Sequence, residues 1–307
     1  MTLSGRDTYR EELTNIAEYN DHILCLEADL GGSTHKFESQ FPDRFFNMGI
    51  AEMTSIDMAA GLAEAGYIPF FSTFAPFASL RSAESIKLAM GYMEKNIKVI
   101  APYGGVSGGW FGTTHHSLED IAVLRAFPNI KIACPYGEED TRRVIREAAS
   151  SPHPYYVRLS RNEAFVSLER EGESASSPLV NQKGTGELCL VSVGEQGTEL
   201  CKKMQEVYPE VSHVHLCYVD QLSLRAAVDQ LTGLGESFLV VEEHRLAGGT
   251  ASLLSVLLPD KQVYSFDCGE EWPVYGGTHQ ETLAHLKFEP KTLEKRITDL
   301  LNDPITI

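Results

Sequence analysis

No Cys-x-x-Cys pair occurs in these 307 residues, and Cys25, Cys134, Cys189, Cys201, Cys217 and Cys268 show no metal-ligand spacing. That excludes a disulfide framework and a sequence-local zinc site. Most of the cysteines lie in apolar runs such as Ile23-Leu24-Cys25-Leu26, where a free thiol behaves as a small hydrophobe. A reduced, cytoplasmic protein is the expectation. No apolar run approaches the ~20 residues that cross a bilayer, and Met1-Thr2-Leu3-Ser4-Gly5-Arg6 lacks a signal peptide's apolar core. Positive charge is also scarce: 26 Lys and Arg stand against 43 Asp and Glu, a net charge of −17. Such a field argues against a nucleic-acid or anionic-membrane surface. An anionic substrate would need its own cluster of arginines and histidines. Short-period repeats and any Gly-Asp-Gly motif are missing as well.

What is present reads as alternating strands and helices. An amphipathic helix near Tyr9–Glu18 precedes a strand at Ile23–Leu26. A helix over Ile50–Ala65, a strand at Ile68–Ser72 and a helix over Pro76–Met93 with proline at its start follow. Strands at Ile97–Ala101, Ile130–Ala133 and Tyr155–Leu159 alternate with helices at Leu118–Ala126 and Glu138–Ala149. The Ser-rich, aperiodic stretch Glu169–Pro178 reads as a linker. Alternation resumes with strands at Leu188–Val193, Val214–Val219 and Phe238–Glu242. Short apolar runs separated by helices predict parallel sheets covered on both faces. The fold class is therefore α/β with two doubly wound domains, residues 1–168 and 186–307, joined by a linker over 169–185.

The most informative segment is Phe45-Phe46-Asn47-Met48-Gly49-Ile50-Ala51-Glu52-Met53, where a short apolar run enters a small-residue helix with a carboxylate in its first turn. The aromatic cluster Phe70-Phe71-Ser72-Thr73-Phe74-Ala75-Pro76-Phe77 follows about twenty residues later. A helix N-terminus favours an ionised carboxylate, whereas burial among rings raises proton affinity. A glutamate between those influences can share a proton with a ring nitrogen. Taken singly, Glu52 is a dipole partner and the phenylalanines are core. Four more stations change that: Glu27-Ala28-Asp29-Leu30-Gly31-Gly32-Ser33 after the first strand, Gly104 to His116, Tyr156-Val157-Arg158-Leu159-Ser160-Arg161, and Glu242-Glu243-His244-Arg245-Leu246-Ala247-Gly248-Gly249. Loops after strand ends are where open α/β sheets bind ligands.

In order, spacing and flanking residues these stations resemble the transketolase family of thiamine-diphosphate enzymes over essentially the whole chain. The resemblance covers the pyrimidine-binding (Pyr) domain and the C-terminal domain after it. It implies that Glu52, in Gly49-Ile50-Ala51-Glu52, is the catalytic residue that contacts the cofactor's aminopyrimidine, that Phe74 and Phe77 pack on that ring, and that Asp29 lies near the thiazolium. It implies that Arg6, Ser33 and Arg161 bind a sugar phosphate and that His115 faces the sugar. Arginine suits phosphate because its planar fork pairs with two oxygens. The missing Gly-Asp-Gly motif implies that the diphosphate and a Mg2+ or Ca2+ ion are bound by a partner chain, with no metal ligand in this one. The chain then resembles the C-terminal subunit of a split transketolase, homodimeric within a heterotetramer and transferring a two-carbon ketol unit from a ketose to an aldehyde or aldose.

Two positions depart from the family pattern. Phe111 replaces an aspartate that reads a sugar hydroxyl, and Tyr103 replaces a substrate-facing histidine. Aromatics in place of hydrogen-bonding groups disfavour a donor that needed them, so a modified or deoxy sugar, or another acyl donor, is expected, with an anionic tail kept. Two rival readings stay open: the β subunit of a 2-oxo acid dehydrogenase, which also carries Glu-His-x-x-x-Gly-Gly, and a non-catalytic scaffold. Arg161 and the Thr114-His115 pair favour the first reading; the retained Glu52, Phe74 and Phe77 weigh against the scaffold. His213 and His215 share a strand face, but no spacing completes a metal site around them. Trp272 reads as a core or interface anchor, and Glu243-His244 as structural.

Overall fold

The computed structural model describes residues 2–30, 35–161, 163–169, 177–274 and 276–302. The first helix, α1 (Gly5–Ala17), starts where the Ser4 hydroxyl accepts the Asp7 N–H at 3.3 Å. The chain continues through β1 (Ile23–Glu27), α2 (Lys36–Gln40), β2 (Phe45–Asn47), α3 (Glu52–Glu64) and β3 (Ile68–Ser72). After β3 the helical stretch read over Pro76–Met93 is not a single α-helix. Phe77–Arg81 and Lys87–Tyr92 are π-helical, and only α4 (Ala83–Ile86) between them is regular. β4 (Lys98–Ala101), α5 (Asp120–Arg125), β5 (Lys131–Ala133), α6 (Gly137–Ser150) and β6 (Tyr155–Arg158) complete the first unit. Its six strands run parallel in the order β2-β1-β3-β4-β6-β5. Every residue of β1, β4 and β6 is buried, as expected when helices cover both faces.

The second sheet contains β7 (Leu179–Gln182), β8 (Leu188–Val193), β9 (Ser212–Leu216), β10 (Ser237–Glu242) and β11 (Gln262–Phe266). Its helices are α7 (Gly194–Val207), α8 (Gln221–Thr232), α9 (Thr250–Leu257), α10 (His279–His285) and α11 (Pro290–Asn302). The order is β11-β10-β8-β9-β7, parallel except for the antiparallel edge strand β7. β7 lies inside the stretch read as linker and pairs with β9 there. β9 ends before the reading's Val219, because Cys217–Val219 leaves the sheet to bond the first unit. The Cys134 N–H donates to the Cys217 carbonyl at 2.7 Å and the Val219 N–H to the Ile132 carbonyl at 2.9 Å. One apolar cluster runs from Leu26, Phe71 and Val99 through Val191, Val214 and Phe238, joining the inner faces of both sheets. Arg125 ties the same seam, donating to the carbonyls of Val219 and Gly248 and to the Thr250 hydroxyl at 2.7–2.9 Å. Among the described residues no helix is long and apolar enough to cross a membrane.

Candidate active site

The residues singled out in the sequence gather at the carboxyl ends of β1, β2, β3, β4 and β6, where helix N-termini and turns leave backbone and side chains free for a ligand. Glu52 is the first residue of α3, entered through a turn at Gly49 with φ +63, a conformation that glycine adopts without strain. Its side chain is 2% exposed and accepts the Arg81 Nη1–H at 2.6 Å, while the Arg81 side chain is 43% exposed. The Arg81 guanidinium lies 4.1 Å over the Phe77 ring. Nothing in the sequence pointed to Arg81. It lies twenty-nine residues from Glu52, and the π-turn beginning at Phe77 ends on it.

Beyond Phe77 the site is aromatic. Phe74 lies 5.6 Å from Phe77 and 4.2 Å from Tyr103 between ring centroids, and with Leu30 these rings form a cluster separate from the main cores. The Phe111 and His115 rings stack at 4.8 Å and present their edges to Phe74 at 5.8 and 5.2 Å. Phe111 is 49% exposed, so it forms a wall of the site and not part of a core. His115 sits 5.0 Å from Phe77, and its Nδ1 bonds the Thr114 hydroxyl at 2.9 Å. Burial, helped by the nearby Arg81 and opposed by Asp29, lowers the His115 pKa from its usual 6.5. The ring is therefore neutral at pH 7.

Tyr103 is buried with φ +66, a left-handed conformation costing a bulky residue ~1–2 kcal/mol. Asp29, exposed at the end of β1, also has positive φ (+51). Strain of this kind clusters at sites where a side chain must be aimed. The Arg161 guanidinium lies 4.9 Å over the Tyr103 ring. Burial raises the Tyr103 pKa, and Arg161, Arg6 and Arg10, with a hydrogen bond from Arg6, pull it back. Arg6 and Arg161 thus meet at one phenol. Among the described residues neither Nε of this pair has a hydrogen-bond partner, although both are buried. Arg6 Nε has only the Asp7 carboxylate at 3.5 Å, too far for a good hydrogen bond, so two guanidinium groups with donor capacity left over stand at one phenol, an arrangement that suits an anion. Ser33 lies outside the described residues.

Three further arrangements were not legible beforehand. Beneath the end of β1, Arg10 Nη2 donates to Glu27 Oε1 at 3.0 Å and His35 Nε2 lies 3.1 Å from the same oxygen. Burial works to raise the Glu27 pKa, but His35 and Arg10 hold it below the ordinary 4.5. Where the two units meet, Asp140 of α6 and Cys217 join His215 of β9 with potential ligand atoms within 4.8 Å of one another, all three residues buried. Tertiary contact supplies the companions for His215 that sequence spacing did not. Trp272, read as a core or interface anchor, is 60% exposed and covered by the Arg245 guanidinium at 4.7 Å.

Residues 1–165 match the family model described as transketolase, pyrimidine binding domain. A Methanocaldococcus jannaschii protein assigned as a transketolase C-terminal section is 30% identical over 96% of this chain and 95% of its own. One of the subunits of the apulose-4-phosphate transketolase of Phocaeicola vulgatus is 31% identical, over 92% and 93%. A solved split-gene transketolase, an inactive β4 tetramer, superposes with a TM-score of 0.82 at 28% identity, over 98% of this chain and 99% of that one. Together with the strand-end cluster of Glu52, Phe74, Phe77 and His115, these matches show that the chain belongs to the transketolase family and corresponds in extent to its separately encoded C-terminal sections.

Proposed function

We propose that this chain is one subunit of a two-chain, thiamine-diphosphate-dependent, transketolase-like enzyme of the cytoplasm. It would move a two-carbon ketol unit from a phosphorylated or modified ketose to an aldehyde or aldose, with residues 1–168 as the Pyr domain and 186–307 as the C-terminal domain. The observation that carries the reading is a buried carboxylate at a helix start, held by a half-exposed arginine, beside an aromatic wall and the Arg6 and Arg161 guanidinium groups that meet at Tyr103. The donor set fits the pyrimidine end of the cofactor: an acid at Glu52, with Phe77 joined to it through Arg81 and Phe74 packed on Phe77. The proposal assigns the diphosphate and its Mg2+ or Ca2+ to an N-terminal partner subunit, in a heterotetramer with a dimer of this chain at its centre.

When bound, thiamine diphosphate supplies the carbanion chemistry that breaks and remakes the carbon–carbon bond. Glu52 holds and returns a proton at its carboxylate, a role typically worth 10²–10⁴-fold. Arg81 shares that carboxylate in this structure and would have to yield part of it for Glu52 to hold a proton toward the cofactor's ring nitrogen. Phe74 and Phe77 exclude water from the proton. Asp29 would lie near the thiazolium, and the His115 ring, with Nδ1 engaged by the Thr114 hydroxyl, would offer Nε2 to a sugar oxygen. Arg6 and Arg161, with Ser33, take the donor's anionic end. Tyr103 and Phe111 line the wall where a donor hydroxyl would otherwise be read, which favours a donor altered at that carbon.

The test is a ketol-transfer assay with thiamine diphosphate and Mg2+, using this chain with and without its partner subunit and a panel of ordinary, deoxy and sulfonated ketoses. Activity only in the pair, lost on Glu52→Gln, supports the reading. Pyruvate decarboxylation without ketol transfer would replace it with the 2-oxo acid dehydrogenase reading. Unchanged activity in Glu52→Gln would remove Glu52 from the chemistry.

A further inference from the structure

The two segments that carry the substrate-facing residues are fastened from the second domain by ionisable groups. On the 103–116 segment, the Val106 N–H donates to Glu243 Oε1 at 2.8 Å. A Cβ at Gly105, where φ is +64, would collide with that carboxylate, so the loop closes directly onto it. The same Oε1 bonds His279 Nε2 at 2.8 Å, and the other ring nitrogen, Nδ1, bonds Glu163 Oε2 at 2.9 Å. Glu163 lies two residues beyond Arg161 and is held further by Gln280 Nε2 at 3.1 Å and by Gln196. Next to this bridge, the Ser160 N–H donates to Glu195 Oε2 at 2.6 Å. The other oxygen of Glu195 packs against Gly5, the residue before Arg6.

Glu195, Glu243 and His279 all come from the second domain, at the starts of α7 and α10 and the end of β10. Glu243 and Glu195 accept backbone N–H groups in the Tyr103–His115 segment and beside Arg161, and His279 links Glu243 to Glu163. His279 stays charged between its carboxylates. Burial opposes the charge, but Glu243 and Glu163 outweigh it and push the pKa up to about 10. The remaining groups that face it are His116, whose pKa burial lowers, and Glu195, raised by burial to about 7.

We infer that the Glu163–His279–Glu243 bridge, with Glu195 beside it, positions the arginine-bearing and aromatic segments, so that the second domain sets the affinity of the site for an anionic substrate end. The inference rests on the proposed function in placing that anion at Arg6 and Arg161. These four are positioning residues, acting through the segments they tie together. Removing the imidazolium leaves two carboxylates facing each other, and the Val106 and Glu163 ends of the bridge separate. The arginines and the His115 wall then lose their common frame.

The experiment uses the full chain, alone and with its partner subunit, in His279→Gln and Glu195→Gln forms, with Glu163→Gln as a gentler variant that keeps side-chain volume. Hydrogen exchange in the chain alone is expected to rise roughly 10- to 100-fold in 103–116 and 158–161, while the remaining strands keep parent protection. Inorganic phosphate is expected to bind the variants roughly tenfold more weakly, and KM for a phosphorylated donor to rise likewise with kcat within about twofold. Exchange unchanged in both segments, or raised evenly over both domains, overturns the inference, the second outcome marking a merely structural role. Unchanged phosphate affinity also overturns it. Exchange and phosphate binding need no turnover, so a wild-type pair silent in ketol transfer sinks the function reading without touching this one.

Discussion

Arg158→Met is the perturbation whose cost follows most directly from this structure. Arg158 ends β6 with its guanidinium buried. Nε donates to Asp120 Oδ2 at 2.9 Å, and Nη2 donates to the carbonyls of Ser117 at 3.0 Å and Glu243 at 2.9 Å. Gly104 leaves the space its stem occupies, since a Cβ there would lie 2.7 Å from Arg158 Cγ. Asp120 is fully buried, and its same oxygen also accepts the Tyr156 hydroxyl at 2.7 Å. Burial opposes the charge on Arg158, and Asp120 first, then Glu243, outweigh it and raise its pKa. Methionine keeps the stem's packing and removes the charge. Asp120 then has one neutral donor, and two carbonyls lose theirs. Breaking a buried ion pair on one side costs ~3–5 kcal/mol. A neutral orphaned carbonyl adds ~1 kcal/mol where water cannot reach it. Water entering from the Ser117 loop relieves part of this, so the expected loss is ~3–5 kcal/mol, a large share of the ~5–15 kcal/mol typical of a whole domain. Urea denaturation followed by circular dichroism, with calorimetry beside it, measures it; a fall in melting midpoint of roughly 10 °C is expected. Arg158→Met with Asp120→Asn should recover at least ~2 kcal/mol, because the uncompensated charge is then gone. A single variant within ~1 kcal/mol of the parent, with no coupling in the double, would refute the reasoning.

Three further outcomes are expected. His279 has its folded pKa raised from 6.5 to about 10, so its contribution to stability is fully present below pH 6.5 and fades as pH rises towards 10; a urea titration series should show that loss in the parent and not in His279→Gln. Lys98 is buried with its pKa lowered by desolvation from 10.5 to about 7, so its charge costs stability most below pH 7 and least above 10.5; the stability of Lys98→Met relative to the parent should therefore rise as pH falls from 10 to 7, and a flat difference would contradict it. Phe111→Asp replaces a half-exposed ring with a hydrogen-bonding carboxylate, so on the proposed function the ratio of kcat/KM for an ordinary ketose phosphate over a deoxy donor should rise by about 10- to 200-fold; an unchanged ratio would discard Phe111 as a specificity element.

The central strands were legible from the sequence because they are parallel and buried and stand out as short apolar runs between helices, whereas the edge strands β2 and β11, only partly buried, were not read as strands. The assembly of Glu52, Phe74, Phe77, Tyr103, Phe111, His115, Arg6 and Arg161 near one another follows from the same pattern, since loops after parallel strands all open on one edge. What escaped was contact between distant residues. Arg81 on Glu52, Arg161 on Tyr103, His279 between Glu163 and Glu243, and Asp140 beside His215 each join residues between 29 and 116 apart. β7 escaped for a different reason: a four-residue edge strand with one polar face carries too little apolar signal. The π-turns also left no mark in composition.

The π-turn at Phe77 bears on how such a site changes over generations. The Ser82 N–H reaches back five residues to the Phe77 carbonyl at 3.2 Å, so the turn carrying Arg81 holds one residue more than an α-turn would. Such wide turns occur mostly as single-turn bulges at functional sites. Each residue added to or removed from a helix swings everything beyond it by about 100° around the axis. Losing any one residue between Phe77 and Arg81 would rewind the turn and point the guanidinium away from Glu52, with every side chain in the site unaltered. The acid's companion is thus specified by chain length, and a one-codon deletion could free the carboxylate where no substitution at Glu52 or Arg81 had occurred.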